Sequence, residues 1–214
     1  MKRTVEPKVL YFGTPVVLIS SRNPDGSTNL SPMSSAWWLG YTAMLGMGTS
    51  AQAVKNLTER PEVVLNLVDP DMVAALDRIA LLTGSEQMSD AKRARGYRYE
   101  PDKFAAAGLT REPGDLVDVD AVQESPINLE GRIVNIHDIG GPDSHLCALE
   151  MKVERVHVRE DLLMSNDRYI DPLRWDPLIM KFTEYFAGGA PAYESSLARG
   201  WQMPPMRLPV GSDS

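Results

Sequence analysis

The chain has 214 residues, of which 43% are hydrophobic and 24% charged, with a formal net charge of −7. That length suits one domain, or one domain with decorations, and the composition allows a sizeable core. The acidic balance argues against nucleic-acid or anionic-membrane partners, because either would repel the whole surface.

An anionic small ligand therefore needs local help from backbone N–H groups or a few cations. Cys147 is the single cysteine, so no intramolecular disulfide can form, which points to a reducing compartment. Residues 1–7 carry charges but no apolar run follows them, so a signal peptide is not expected. No segment approaches the length of a membrane-spanning helix, and the expected location is the cytoplasm.

Residues 15–21 form a short apolar run, and Asn23-Pro24-Asp25-Gly26 supplies a turn. Residues 28–31 then return antiparallel. A second apolar strand spans 42–48. Residues 51–60 read as a helix with Ser50 as its N-cap and Pro61 as its stop. Residues 62–67 are strand-like again.

The middle of the chain changes character. Met72, Val73, Leu76, Ile79 and Leu82 recur at helical spacing over 71–83, and Gly84 follows as a stop. Residues 89–95 are short, basic and exposed in character. Another short helix begins at 100–104 and closes at Gly108. Residues 110–124 read as a surface connection. These pieces describe an insertion at about 71–113 in a β domain.

Strands resume at 127–137, where apolar residues on both parities predict burial on both faces. After a turn at Gly140-Gly141-Pro142-Asp143, residues 145–158 place Cys147, Leu149, Met151 and Val153 on one parity and Val156 and Val158 on the other. A β-bulge near Glu154 or Arg155 accounts for the change of phase. Residues 165–214 hold Pro172, Pro177, Pro191, Pro204, Pro205 and Pro209 with scattered aromatics, an arm expected to lie on another surface. The fold class is thus all-β to α+β: a small antiparallel barrel domain over 1–164 with inserted helices, and an extended C-terminal arm over 165–214.

Three constellations carry chemistry. The first is Asn29-Leu30-Ser31-Pro32-Met33-Ser34-Ser35-Ala36-Trp37-Trp38. Pro32 confines this stretch to an edge or a bulge. Small residues let a planar ligand approach the backbone, and an indole can cover its face. A core Trp pair beside an edge strand is the alternative.

The second is Gly46-Met47-Gly48-Thr49-Ser50-Ala51-Gln52-Ala53-Val54-Lys55-Asn56. Glycine and hydroxyl residues leading into a helix make an anion site, with Lys55 adding charge; a plain N-cap is the alternative. The same residues fit a G-x-G-x-x-A dinucleotide fingerprint, with Asp69 as the acidic ribose partner. The β-rich second half lacks the alternation such a fold requires.

The third is His145, whose ring could stack on a ligand or exchange protons. His137 and His157 read as packing or surface residues. His145 and Cys147 share a strand face, but two ligands do not make a metal site, so no metal is expected. No G-x-S-x-G elbow occurs.

The chain resembles the flavin reductase-like family. The matching pieces are Gly13 to Ser20 by number 13–20, the Asp25-Gly26 turn, residues 29–38, Thr49-Ser50 with Gln52 and Asn56, residues 62–67, Glu124-Ser125-Pro126, residues 129–132, and the turn carrying His145. They appear in the family's order over most of 11–158. The resemblance implies an FMN-binding split barrel.

It also implies that the stretch Pro32, Met33, Ser34, Ser35, Ala36 and Trp37 lies along the isoalloxazine. Gly48, Thr49, Ser50, Gln52 and Lys55 would hold the phosphate, and His145 would receive the nicotinamide of NADH or NADPH. It implies a homodimer with FMN at the interface, and electrons passed to free flavin, a partner monooxygenase or another acceptor. An FMN-binding electron carrier without nicotinamide turnover stands as the alternative, and a plain nicotinamide dehydrogenase as a third. Ala51 and Ala53 stand where many members carry threonine or a basic residue. The insertion and the arm, with Arg168, Trp175 and Trp201, exceed the minimal barrel.

Overall fold

A computed structural model describes residues 1–141, 143–165 and 168–189. Pro142, Trp201 and the prolines from 191 onward lie outside the described residues. The chain runs β1 (Phe12–Pro15), β2 (Val17–Arg22), β3 (Thr28–Met33), β4 (Ala36–Leu39), β5 (Thr42–Gly48), α1 (Gln52–Glu59) and β6 (Glu62–Leu67). The inserted segment holds α2 (Val73–Ile79), β7 (Leu82–Thr83), α3 (Asp90–Ala94), β8 (Arg98–Tyr99), α4 (Lys103–Ala107), β9 (Arg111–Glu112) and β10 (Ala121–Val122). The long strands β11 (Ile127–Ile139) and β12 (Leu146–Val158) follow, then β13 (Ile179–Lys181) and β14 (Glu184–Phe186).

Seven strands form one antiparallel sheet in the order β3-β2-β6-β11-β12-β5-β4. Its two end strands, β3 and β4, follow one another in the chain but do not pair, so the barrel is split between them. Alternation along β2 divides its side chains between two cores, as a period of two requires. Val17 and Ile19 enter the barrel with Leu45, Leu65, Leu149 and Met151, where α1 contributes Val54 and Leu57. Val16 and Leu18 face outward and are covered by Leu76 and Ile79 of α2 and Phe104 and Ala107 of α4. The inserted helices are thus a layer on the outside of the barrel.

The expected bulge is present: Glu130 pairs with Arg155 and Gly131 with Val153, leaving Glu154 as the extra residue. Other expectations are corrected. The helix over 71–83 is shorter: a 3-10 turn at Pro70–Met72 leads into α2, which ends at Ile79, and Leu82 and Thr83 pair with Arg98 and Tyr99 instead. Cross-strand bonding there outweighs the helical periodicity of one leucine. Ser50 is not the N-cap of α1. Ala51 takes that position, with no side-chain hydrogen bond to the helix, and the Ser50 side chain is exposed.

The stretch 110–124 does not lie on the surface throughout. Val117, Val119, Ala121 and Val122 are buried, held by a carboxylate that the primary structure does not place there: Glu130 accepts N–H bonds from Asp115, Leu116 and Val117. β11 is buried only over its first half, because β6 pairs with 127–132 and stops; beyond it Val134, Ile136 and Ile139 are exposed. The described part of the arm returns to its own chain, where β13 pairs with β1 and β14. Among the described residues, no helix is long and apolar enough to cross a membrane.

Candidate functional site

The split between β3 and β4 opens into a groove of about 510 Å3, within the usual range of roughly 300–1,000 Å3 for small-molecule sites. One wall is the chain at Pro32, Met33, Ser34 and Ser35, where β3 ends and β4 begins. A second is Gly46, Met47 and Gly48 at the end of β5. β3 is an end strand, so its outward backbone edge is free of sheet pairing. Gly46 lets the two walls approach: a Cβ there would stand 3.1 Å from the Ser35 Cβ, and its N–H donates to the Ser35 carbonyl at 2.8 Å.

The remaining lining is aromatic and comes from remote segments: Tyr11 before β1, Tyr97 from the insertion, and Phe182 and Tyr185 from the β13–β14 hairpin. Phe182 is at the hairpin tip with φ of 55°, the one non-glycine residue with positive φ among those described. Its N–H donates to the Tyr11 carbonyl at 2.6 Å and its ring meets Phe12 edge-on at 5.4 Å. These contacts hold the tip against the groove.

Next to the groove is a smaller annex of about 160 Å3 that shares Pro32, Met47, Ala80 and Tyr97 with it. Ala51 and Gln52 at the start of α1 line the annex, with Thr83 and Gly84, Lys92 and Lys103 from the insertion. Lys103 is buried, the residue being 3% exposed, and its ammonium donates to the Leu30 carbonyl of β3 at 2.7 Å. Burial pulls its pKa down to about 8, the like charge of Lys92 adds to the fall, and Glu100 opposes it.

Of the residues singled out above, Pro32, Met33, Ser34, Ser35 and Gly48 line the groove and Gln52 lines the annex. Ala36 is buried in the barrel core. The Trp pair alternates: Trp38 packs on that core, while Trp37 is exposed and does not line the groove. Thr49, Ser50 and Lys55 are exposed and line neither cavity. The Thr49 N–H is taken by the His145 carbonyl at 2.9 Å, and the Gln52 amide donates to Asn56 Oδ1 at 2.8 Å. His145 therefore stands beside Gly48 at one end of the groove, with an exposed side chain that is not part of the lining.

Cys147 is in the barrel core, and burial together with the Asp138 charge raises its thiol pKa. One group of potential metal ligands was not foreseen: Asp115, Glu130 and His157 bring ligand atoms within 4.8 Å of one another. All three already take part in hydrogen bonds within the protein. Glu130 accepts the three N–H bonds and meets His157 Nε2 at 2.5 Å, and Asp115 accepts from Arg155 at 2.9 Å.

The G-x-G-x-x-A match ends an antiparallel strand, with β5 between β4 and β12, so no parallel βαβ unit surrounds it. Tyr11, Lys92, Tyr97, Lys103, Phe182 and Tyr185 went unrecognised in the sequence. Lys103 did leave a signal there, since it shares the buried face of α4 with Phe104 and Ala107.

A family-wide profile described as the flavin reductase like domain matches residues 9–188, a span that includes every lining residue from Tyr11 to Tyr185. The chain belongs to the flavin reductase like family. It is 34% identical over 187 residues to the uncharacterized protein YdfE of Bacillus subtilis (strain 168), covering 87% of this chain and 89% of that one. The fold is similar to that of flavoredoxin of Desulfovibrio vulgaris (Miyazaki F), with a TM-score of 0.75, 22% identity, and coverage of 93% of this chain and all of that one. It is also similar to nitrilotriacetate monooxygenase component B from Bacillus cereus, with a TM-score of 0.70, 20% identity, and coverage of 86% and 88%.

Proposed function

We propose that this protein is an FMN-dependent oxidoreductase of the cytoplasm that uses NADH or NADPH. The observation that carries the reading is the groove itself. It offers a free strand edge and a glycine-lined wall to one flat ligand, with aromatic side chains around it, and it continues into a cationic annex. A planar ring with an anionic tail fits both halves. Bound FMN would supply the redox chemistry, accepting a hydride from the nicotinamide and passing electrons to free flavin, a partner monooxygenase or another acceptor.

The chain's own groups would bind and orient. Pro32, Met33, Ser34 and Ser35 would run along the ring, with Ala36 and Trp37, the rest of the family-implied stretch, following them outside the groove lining. Gly48, Thr49, Ser50, Gln52 and Lys55 are the family-implied phosphate stretch, and His145 beside Gly48 would receive the nicotinamide. That one neighbour in fold is a monooxygenase component supports an oxygenase as partner.

A second reading, an FMN-binding electron carrier without nicotinamide turnover, is favoured by the position of His145 outside the groove lining. Anaerobic mixing of the FMN-loaded protein with NADH and with NADPH separates the two. Bleaching of the flavin absorbance with either donor is expected, and His145→Ala should slow it or raise the Michaelis constant while FMN affinity stays unchanged. A flavin that neither donor reduces would leave the carrier reading standing.

A further inference from the structure

A cavity of about 290 Å3 lies where residues 112–115 and Ala121 meet the long strands β11 and β12, and none of its lining residues belongs to the groove or the annex. Ile127 and Leu129 of β11 enter the barrel core, so the period of two turns Asn128 and Glu130 to the opposite face. On β12, His157 is the partner of Asn128 and Arg155 the partner of Glu130, which sets His157 diagonally across from Glu130. The third side comes from the chain between β9 and β10. There the Asp115 N–H donates to Glu130 and brings the Asp115 carboxylate to the same place.

The ligand atoms of Asp115, Glu130 and His157 lie within 4.8 Å of one another. His157 Nε2 stands 2.5 Å from Glu130 Oε1, so close that the two must share a proton or part to admit a cation. Glu130 is 1% exposed; burial works against its charge, but the N–H bonds prevail and keep it ionised at neutral pH. Arg155 engages Oδ2 of Asp115 at 2.9 Å, and Oδ1 has no recorded partner. Bonds of this kind are how carboxylate ligands of metals are held in place from behind. Glu112 lines the same cavity, and among the described residues its carboxylate has no recorded partner. Three carboxylates against one guanidinium leave the site negative.

We propose that Asp115, Glu130 and His157 form a binding site for one divalent first-row transition-metal ion of the zinc type. An imidazole nitrogen among the ligands favours such ions over calcium or magnesium, which take oxygen. Three protein ligands is the number zinc keeps where a fourth position stays open to water, and the side chains of Asp115 and His157, 59% and 39% exposed, leave that way in. Seating the ion opens the His157–Glu130 contact to roughly 3.3 Å, the edge of a tetrahedron whose zinc bonds are about 2.0–2.2 Å. The ion takes the place of the proton between them, and it ties the 112–121 segment to the β11–β12 pair.

The test is a calorimetric titration of zinc chloride into tag-free protein stripped with a chelator and desalted. One ion per chain is expected in the wild type. His157→Ala and Asp115→Asn should each weaken binding by at least the roughly ten- to hundredfold that losing an outer partner of a metal ligand costs, while His137→Ala leaves it unchanged. Saturating zinc should also raise the melting temperature of the wild type and not that of His157→Ala. Because the chain has 3 histidines, proton NMR of their rings gives a readout that does not depend on any variant folding: zinc should move the His157 signals and leave those of His137 and His145 in place. No binding of zinc, binding that survives both His157→Ala and Asp115→Asn, or shifts confined to His137 or His145 would each overturn the assignment. Circular dichroism accompanies the titration; if one ligand variant is unfolded, the other and the NMR spectrum decide the outcome.

Discussion

Glu130 shows how one buried charge organises a stretch of chain with little regular structure. Its carboxylate accepts N–H groups from Asp115 at 3.1 Å, Leu116 at 2.7 Å and Val117 at 3.1 Å. Burial would raise its pKa, but those three bonds and the contact with His157 together hold it below the ordinary value of 4.5. Glu130→Gln should therefore destabilise the protein by about 2–3 kcal/mol near neutral pH, read from urea unfolding. The folded pKa is depressed, so this stability is present above the unfolded value and is lost as pH falls through the folded one. The gap between wild type and variant should narrow below about pH 4.5, taking the unfolded value as the ordinary one. A gap that stayed constant into acid would mean that the carboxylate charge is not what holds the segment. In the sequence, Glu130 is one residue of a family match; nothing local to it indicates that its N–H partners lie 13 to 15 residues upstream.

At the level of elements, the pairing of β11 with β12 holds the sheet together, and its irregularity was legible before any coordinates. A change of parity at 153–156 requires one extra residue, and Glu154 is that residue. What the parity could not show is the cost on the opposite strand. Gly131 faces the bulge so closely that a Cβ would run into the Lys152 carbonyl. Gly131→Ala should cost about 1–3 kcal/mol by overpacking, with a matching fall in the urea midpoint. An unchanged midpoint would show that the bulge shifts freely. The inserted helices illustrate the converse. Their apolar spacing was readable, but it could not reveal that they cover the outer face of β2 and β3 or that the insertion contributes to the walls of the groove.

On the scale of the molecule, the described chain leaves apolar side chains in water. Trp37 and Leu39 on β4 and Tyr41 after it are 56%, 76% and 72% exposed, and Val134, Ile136, Ile139 and Leu146 are exposed on the far halves of β11 and β12. These strands belong to the same end of the sheet order, and Leu146 pairs with Gly48 at the groove. Apolar area concentrated in this way marks an interaction surface, and we propose a second copy of the chain as its partner, which would bring a neighbouring subunit up to the groove. Light scattering of the wild type at micromolar concentration should give the dimer mass, and a Leu39→Asp, Ile136→Asp double variant should give the monomer. A monomeric wild type with flavin bound would rule out a site shared between subunits.

The sequence by itself determined the antiparallel β framework, the bulge, the presence of inserted helices and the family, because each rests on local periodicity or on motifs in a fixed order. It also marked Pro32 to Ser35 and Gly48, residues whose small size and backbone freedom suit a flat ligand. Only the tertiary structure decided that Ser50 caps nothing, that Trp37 and Trp38 part to opposite sides, and that Tyr11, Tyr97, Lys103 and Phe182 converge on one groove. The physical reason is separation along the chain. Pairing of β13 with β1 and packing of α4 on β3 bring together residues too far apart for any periodicity to relate them, and burial, which makes Lys103 unusual, is a property of the folded state alone.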